Sequence, residues 1–516
     1  MVSTALYDNN HNGSSQHEIL EVFNRQLGFH SPRKFSRRIS ASEALVNRFG
    51  LAGKLIGHKG CVTTIEFNYD GDHLVSGSLD GVVMFWNVGT KSLVFSYDSG
   101  HTDSIFHARI MPFTDDRTIV TSAADGQLLV YVASLNPQGP APPCGQIEVR
   151  LGQVAENGHV QTKRLGEHNG RAHKLAIEPG SPHIFYSCGE DGLVQHFDLR
   201  SNSSTKLLYC SSVTRNTNWL SSSNSLELYS IIIDPRNPNY FSLGGSDQYA
   251  RVYDIRKLQR DPASSYQDRP IDTFCPKHLL TTHDINITGI SYSNTSELLV
   301  SYNRGSVYLF QKDMSLGPYP VAVSEEHLES LDEPQMYSGH KNSVMPKGVS
   351  FFGPDSEYVM SGSDCGHIYI WNKKDGRIIR VTEGDGRPVT QVKPHPNISV
   401  LASCSILERH IKLWAPVSED NLPLRHDLQE VMESDTQARK SHSPVTLRPD
   451  VIPHVLRHDI ADDEEDESDA YGLGFSDGDG SFEDGYPGDE EDESDAYDLG
   501  FSDGDGSFED GNPGYA

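Results

Sequence analysis

Four aspartates each stand six residues before an aromatic side chain: Asp80 before Trp86, Asp125 before Tyr131, Asp191 before Phe197 and Asp247 before Tyr253. A histidine precedes the pattern, most clearly in Gly57-His58 and Gly339-His340. An aspartate at a fixed distance from a histidine invites a catalytic reading, but its recurrence argues for a tether. A buried carboxylate needs hydrogen-bond partners, and a turn tied to an imidazole supplies them. His58, Asp80, Asp125, Asp191 and Asp247 are therefore assigned to structural turns, with no catalytic role. Other chemistry is missing from the pattern. There is no Gly-x-x-x-x-Gly-Lys-Ser/Thr, no His-Glu-x-x-His and no zinc-spaced Cys/His set, so neither cofactor nor metal is expected. The seven cysteines are scattered without a Cys-x-x-Cys. That usage fits free thiols in a reducing compartment.

The elements that would position these residues follow from the aromatic closers. Trp86, Tyr131, Phe197, Tyr253, Phe310, Trp371 and Trp414 are separated by 43 to 66 residues. A WD repeat has a period of roughly 40–45 residues and builds one four-stranded blade. Seven closers predict an all-β, seven-bladed WD40 β-propeller over residues 48–416, with the longer steps absorbed by insertions at 136–163, 201–226 and 312–337. Val82-Val83-Met84-Phe85-Trp86 and His367-Ile368-Tyr369-Ile370-Trp371 read as third strands, alternating as half-buried β-strands do. Leu51–Ile56 is expected to supply the outer strand of the last blade and so close the ring. In blades five, six and seven the aspartate position holds Arg304, Cys365 and Glu408. Those blades are expected to be held by packing.

Blade three ends Phe197-Asp198-Leu199-Arg200 and blade four ends Tyr253-Asp254-Ile255-Arg256. The segments 185–200 and 241–256 resemble the DWD box of WD proteins that dock on the damaged-DNA-binding adaptor of cullin 4 ubiquitin ligases. The match is imperfect at Tyr186, Cys188, His196, Phe197, Ser242, Leu243 and Ala250. Both segments keep the two aspartates and the final arginine, whose guanidinium stays charged and donates in a rigid fork. Longer stretches strengthen the likeness: Arg171-Ala172-His173-Lys174-Leu175-Ala176-Ile177-Glu178-Pro179, the run from Gly244 to Arg256, Ser361 to Ile368, Phe274-Cys275-Pro276-Lys277-His278-Leu279 and Lys412-Leu413-Trp414-Ala415-Pro416. Residues 17–416 resemble the cullin-4-associated factors of the member-eight type, the WD-repeat protein 42 group. The resemblance implies a non-catalytic substrate receptor. One face would bind the adaptor through Asp198, Arg200, Asp254 and Arg256, and another would present a client protein for ubiquitin transfer.

Residues 1–47 are expected to form a helical docking segment. Glu18–Leu27 reads as a helix with Ile19, Leu20, Phe23 and Leu27 mainly on one side. An amphipathic helix in a groove is a common recognition mode, and related receptors enter a cleft of the adaptor this way. The competing reading packs this helix on its own propeller. A second short helix is expected near Ser42–Asn47, capped by Ser40 or Ser42. Neither element has an obvious core to join. The basic cluster Arg33–Arg38 between them reads as a solvated loop, a nuclear-import signal or a phosphate-facing patch.

The net charge of −29 is concentrated at one end: from Asp462 to Asp510 there are 22 acids and no Lys or Arg. Residues 417–461 read as a linker and 462–516 as a disordered acidic tail. Within the tail a 26-residue segment, 463–488, recurs as 489–514. Ser476, Ser481, Ser502 and Ser507 each have an acid three residues on and are candidate phosphorylation sites. Asp477-Gly478-Asp479-Gly480 fails as a calcium loop because Phe482 stands where the required glycine belongs. No apolar stretch reaches the length of a membrane span, so no membrane partner is expected, and nucleic-acid binding is not expected either. The absence of a signal peptide leads to an expected location in nucleus and cytoplasm. Two rivals to the receptor reading are a WD scaffold in a nuclear or chromatin complex, its acidic tail binding basic proteins, and an enzyme working in the propeller channel.

Overall fold

The computed structural model describes residues 20–132 and 161–418, apart from 202, 212–225, 259–268, 283–284, 321–324 and 344–345. The acidic tail, the linker beyond 418, Ile19 and the four candidate phosphoserines lie outside the described residues. No helix among those described is long and apolar enough to cross a membrane.

Seven four-stranded antiparallel sheets follow one another along the chain. They make a seven-bladed β-propeller, and each aromatic closer lies buried in the third strand of its blade. The ring is closed as the sequence predicts. Strand Phe49–Ile56 pairs with His410–Pro416 and becomes the outer strand of blade seven. The first and last strands of the domain are thus zipped together, which removes two free edges.

The third strands do not alternate. Val82–Asn87 and His367–Asn372 each bury four consecutive residues. A propeller blade is covered on both faces by its neighbours, so these strands carry the continuous apolar run of a fully buried sheet. Leu55, Ile65, Leu74, Trp86, Ile411 and Leu413 join blades seven and one in a single cluster. Truncating such a residue to alanine costs about 2–5 kcal/mol. The turns entering the third strands need left-handed backbone. Gly366 has φ +81°, and a Cβ there would lie 1.9 Å from the Asp385 carbonyl oxygen.

The insertion at 312–337 is not loop throughout. It contains the 3-10 turn Lys312–Met314, the helix Glu325–Ser330 and Gln335–Tyr337, which is the fourth strand of blade five.

The N-terminal segment departs from expectation in two ways. The basic cluster is not a loop: Pro32–Ser40 is a helix. The short helix Glu43–Val46 then joins a core after all. Ala41, Val46 and Phe49 pack with Phe352, Tyr358 and Trp414 at the seam of blades six and seven. Ser42 occupies its N-cap position without a side-chain cap bond.

Candidate functional site

The turn tethers form in blades one to three. His58 Nδ1 lies 3.6 Å from Asp80, and its Nε2 is 2.7 Å from Ser76 Oγ. Trp86 Nε1 donates to the same Ser76 oxygen at 2.8 Å, so the closer, the strand and the turn are locked together. His101 pairs with Asp125 at 3.1 Å and Thr121 at 2.9 Å. His168 pairs with Asp191 at 2.9 Å and Ser187 at 2.7 Å. Burial raises the carboxyl of Asp80, but the nearby His58 imidazole and hydrogen bonds from the Gly60 and Val82 amides win and hold it near 2.

Asp247 has a different partner. Among the described residues no histidine reaches it. Arg251 forks onto it instead, Nη1 to Oδ1 at 2.8 Å and Nη2 to Oδ2 at 2.5 Å. Blades five to seven are also not held by packing alone. Asp364 pairs with the buried Lys347 in blade six, and Asp385 with Lys412 in blade seven. In blade five Asn342 Nδ2 donates to Thr288, Ser301 and the Tyr302 carbonyl. These cations and amides sit outside the Asp-to-aromatic spacing, so the repeat pattern gave no signal for them. Asp385, Glu408 and His410 cluster closely enough to suggest a cation site. The Lys412 ammonium already occupies that carboxylate.

The two Asp-x-Arg endings adopt one geometry. Arg200 Nε and Nη2 donate to Asp198 at 3.0 and 2.8 Å, and its amide donates at 2.9 Å. Arg256 repeats this on Asp254 with the same three distances. The aspartates are largely covered, whereas the arginine side chains are 62% and 55% exposed. Each arginine is held by its aspartate and displayed outward from adjacent blades. Neutralisation by Arg200 pulls the Asp198 carboxyl down to about 2.

Both arginines follow a third strand. In an antiparallel blade, the first-to-second and third-to-fourth connections emerge at one end and the remaining connections at the other. The N-terminal segment uses the same end. The Ala41 carbonyl accepts from Tyr358 Oη at 2.9 Å and the Ser40 carbonyl from Ser399 Oγ at 3.2 Å. Tyr358 and Ser399 stand at the first-to-second connections of blades six and seven. Arg377, in the third-to-fourth connection of blade six, pairs with Glu43 at 3.2 Å.

Upstream, residues 20–26 are helical and end in a turn at Gly28, where φ is +79°. Glu21 is the buried residue of this helix, held by His30 and Arg38 at 3.2 Å each. Leu20, Phe23 and Leu27 are 60%, 56% and 65% exposed, and Phe29 beside them 71%. The helix is fixed through its acid while its apolar side faces outward. Among its described residues, Leu20, Phe23 and Leu27 are not buried against the propeller.

A central cavity of about 820 Å³, lined by the inner strands, runs from this end at Pro235, Asn294 and Pro396 to the opposite one at Asp103, Arg171 and Asn303. Titratable groups converge there that the repeat pattern did not reveal. Glu66, Arg109 and Lys393 hold one register position in the first strands of blades one, two and seven, opposite Val75, Val120 and Ala402. Lys174 lies two residues earlier on the equivalent strand of blade three, as does His107 on that of blade two. Glu66 takes Lys393 at 2.8 Å and Arg109 at 3.3 Å. Superimposing the first strands of the blades would have aligned these charges.

The WD domain, G-beta repeat family model matches residues 50–87 and 332–372. The chain is 27% identical over 447 residues to mouse DDB1- and CUL4-associated factor 6, covering 80% of this chain and 47% of that protein. The human protein of the same name is 29% identical over 470 residues, covering 86% and 50%. Arabidopsis thaliana Protein ALTERED SEED GERMINATION 2 is 31% identical over 293 residues, covering 53% and 37%. The chain thus spans about half or less of the length of these curated relatives. It is a WD-repeat propeller with homology to DDB1- and CUL4-associated factor 6.

Proposed function

We propose that this protein is a substrate receptor of a cullin 4 ubiquitin ligase, and within that group a factor of the member-eight type. The observation that carries the reading is the shared face: two identical Asp-x-Arg forks on adjacent blades, and an outward-facing apolar helix anchored at the same end of the propeller. The forks present planar, charged donors, and the helix presents Leu20, Phe23 and Leu27 as groove anchors. Ile19, outside the described residues, belongs to the same expected apolar side. The homology to cullin-4-associated factors agrees with this assignment. The protein itself performs no chemistry. It holds a client close to a charged conjugating enzyme, so transfer becomes effectively intramolecular. The client, an unidentified protein, is assigned to the face remote from the forks.

The test is a pull-down of the full-length chain, probed for the damaged-DNA-binding adaptor. The wild type is compared with Arg200→Ala/Arg256→Ala, Leu20→Asp/Phe23→Asp and the combined variant. The forks and the helix anchor lie on separated blades, so each double variant is expected to weaken capture and the combination to abolish it. Failure of the wild type to capture the adaptor would overturn the reading and favour the scaffold alternative.

A further inference from the structure

Buried charges in a protein interior are ordinarily balanced, because an uncompensated ion loses its hydration without repayment. The charges lining the central channel are part-exposed to its cavity, and they are not balanced. The middle section carries Arg109, Lys174 and Lys393 against the single carboxylate of Glu66. Arg109 and Lys393 both use that carboxylate, and Lys174 forms no ion pair among the described residues. His107 does not add to the charge. Its Nδ1 accepts the Leu175 amide at 3.1 Å, and burial followed by the neighbouring cations keeps it neutral. At the mouth Arg171 and His173 pair with Glu190 and Tyr229 donates to Glu227, so the excess of two positive charges is confined to the middle section.

We propose that the channel is a binding site for a phosphate-bearing ligand, with a dianionic phosphate seated among Arg109, Lys174 and Lys393. An excess of two charges matches a dianion. The guanidinium offers a planar pair of donors and the ammoniums act as point charges, a combination suited to phosphate oxygens. The cavity, about 820 Å³, is far larger than a bare phosphate and accepts one attached to a larger body. Entry is framed by Phe106, His173 and Tyr229, whose rings follow one another at 5.1 Å spacings. This mouth lies at the end of the propeller opposite Arg200 and Arg256, so the site stays open with a partner on the forks. The inference does not depend on the receptor reading.

Lys174 registers the same crowding of positive charge. Burial, then Lys393 and Arg109, press its ammonium down to about 8 against the pull of Glu66. An arriving phosphate relieves that pressure.

The experiment is thermal unfolding and calorimetric titration of the full chain with inorganic phosphate, pyrophosphate, a short phosphoserine peptide and its unphosphorylated form. The wild type is compared with Lys174→Met and Glu66→Gln. The wild type is expected to show a saturable rise in melting temperature with the phosphate ligands and none with the unphosphorylated peptide. Lys174→Met is expected to melt no lower than wild type without ligand, since it removes a charge set among like charges, and to bind at least about tenfold more weakly. Glu66→Gln is expected to bind about tenfold more tightly, having lost the competing carboxylate. Tighter binding of the phosphopeptide than of pyrophosphate would identify the source as a phosphorylated protein. The reverse order would identify it as a small phosphate metabolite. Two results would overturn the proposal: no rise in the wild type, or an equal rise in Lys174→Met. The latter is what general exclusion of phosphate from protein surfaces produces.

Discussion

Arg251 stands in for a histidine: its fully buried guanidinium forks onto Asp247, the carboxylate that in blades one to three is reached by an imidazole. The exchange alters the energetics of the blade. An imidazole reaches the carboxylate through a single ring nitrogen, whereas an arginine brings a permanent second charge that is satisfied only while the fork is intact. Asp247→Asn strands a buried cation and is expected to cost about 3–5 kcal/mol in urea unfolding. Replacing both partners with apolar residues, Asp247→Leu/Arg251→Met, is expected to recover most of that loss. A double variant as unstable as the single one would show that the pair is not the unit.

The histidine-bonded aspartates set the acid limit of the fold. Asp80 is held near 2 against an ordinary 3.8, and Asp125 and Asp191 are lowered by His101 and His168 in the same way. A folded-state carboxyl below its unfolded value stabilises fully above the unfolded value and loses that contribution as pH falls through the folded one. For Asp80 that contribution is lost between about pH 4 and 2. Circular dichroism against pH should show an acid limb in this window, shallower in Asp80→Asn.

Leu20 and Phe23 touch little of the propeller, so their loss should not unfold it. Leu20→Asp/Phe23→Asp is expected to change unfolding stability by no more than about 0.5 kcal/mol. The same variant is expected to weaken adaptor capture about tenfold or more. Equal loss of stability and capture would show that the helix packs inward.

Arg200 and Arg256 are exposed side chains, and their loss is expected to change folding stability little. Arg200→Lys/Arg256→Lys retains the charge but loses the planar fork, and is expected to weaken adaptor binding nearly as much as alanine. Interferometry with the purified adaptor separates the two. Full rescue by lysine would reduce the site to simple charge attraction.

What the sequence determined by itself lies within single blades. An Asp six residues before an aromatic, and a histidine about twenty residues before that Asp, specify a turn and the strands around it. Short segments settle such contacts, so Trp86, Tyr131 and Phe197 each mark a blade in the sequence alone. The paired endings Asp198-x-Arg200 and Asp254-x-Arg256 were legible for the same reason: each fork closes over two residues. Tertiary structure decided whatever crosses between blades. Gln391 reaches Thr63, and Lys393 reaches Glu66, because ring closure brings blade seven beside blade one. Ala41 and Val46 find their core at the seam of blades six and seven, remote in the chain. The third strands are buried on both faces because a blade has two neighbours, which no alternation within one strand encodes. The uneven charge of the channel has the same origin. Glu66, Arg109, Lys174 and Lys393 lie in four different blades, and only the closed ring places them around one cavity.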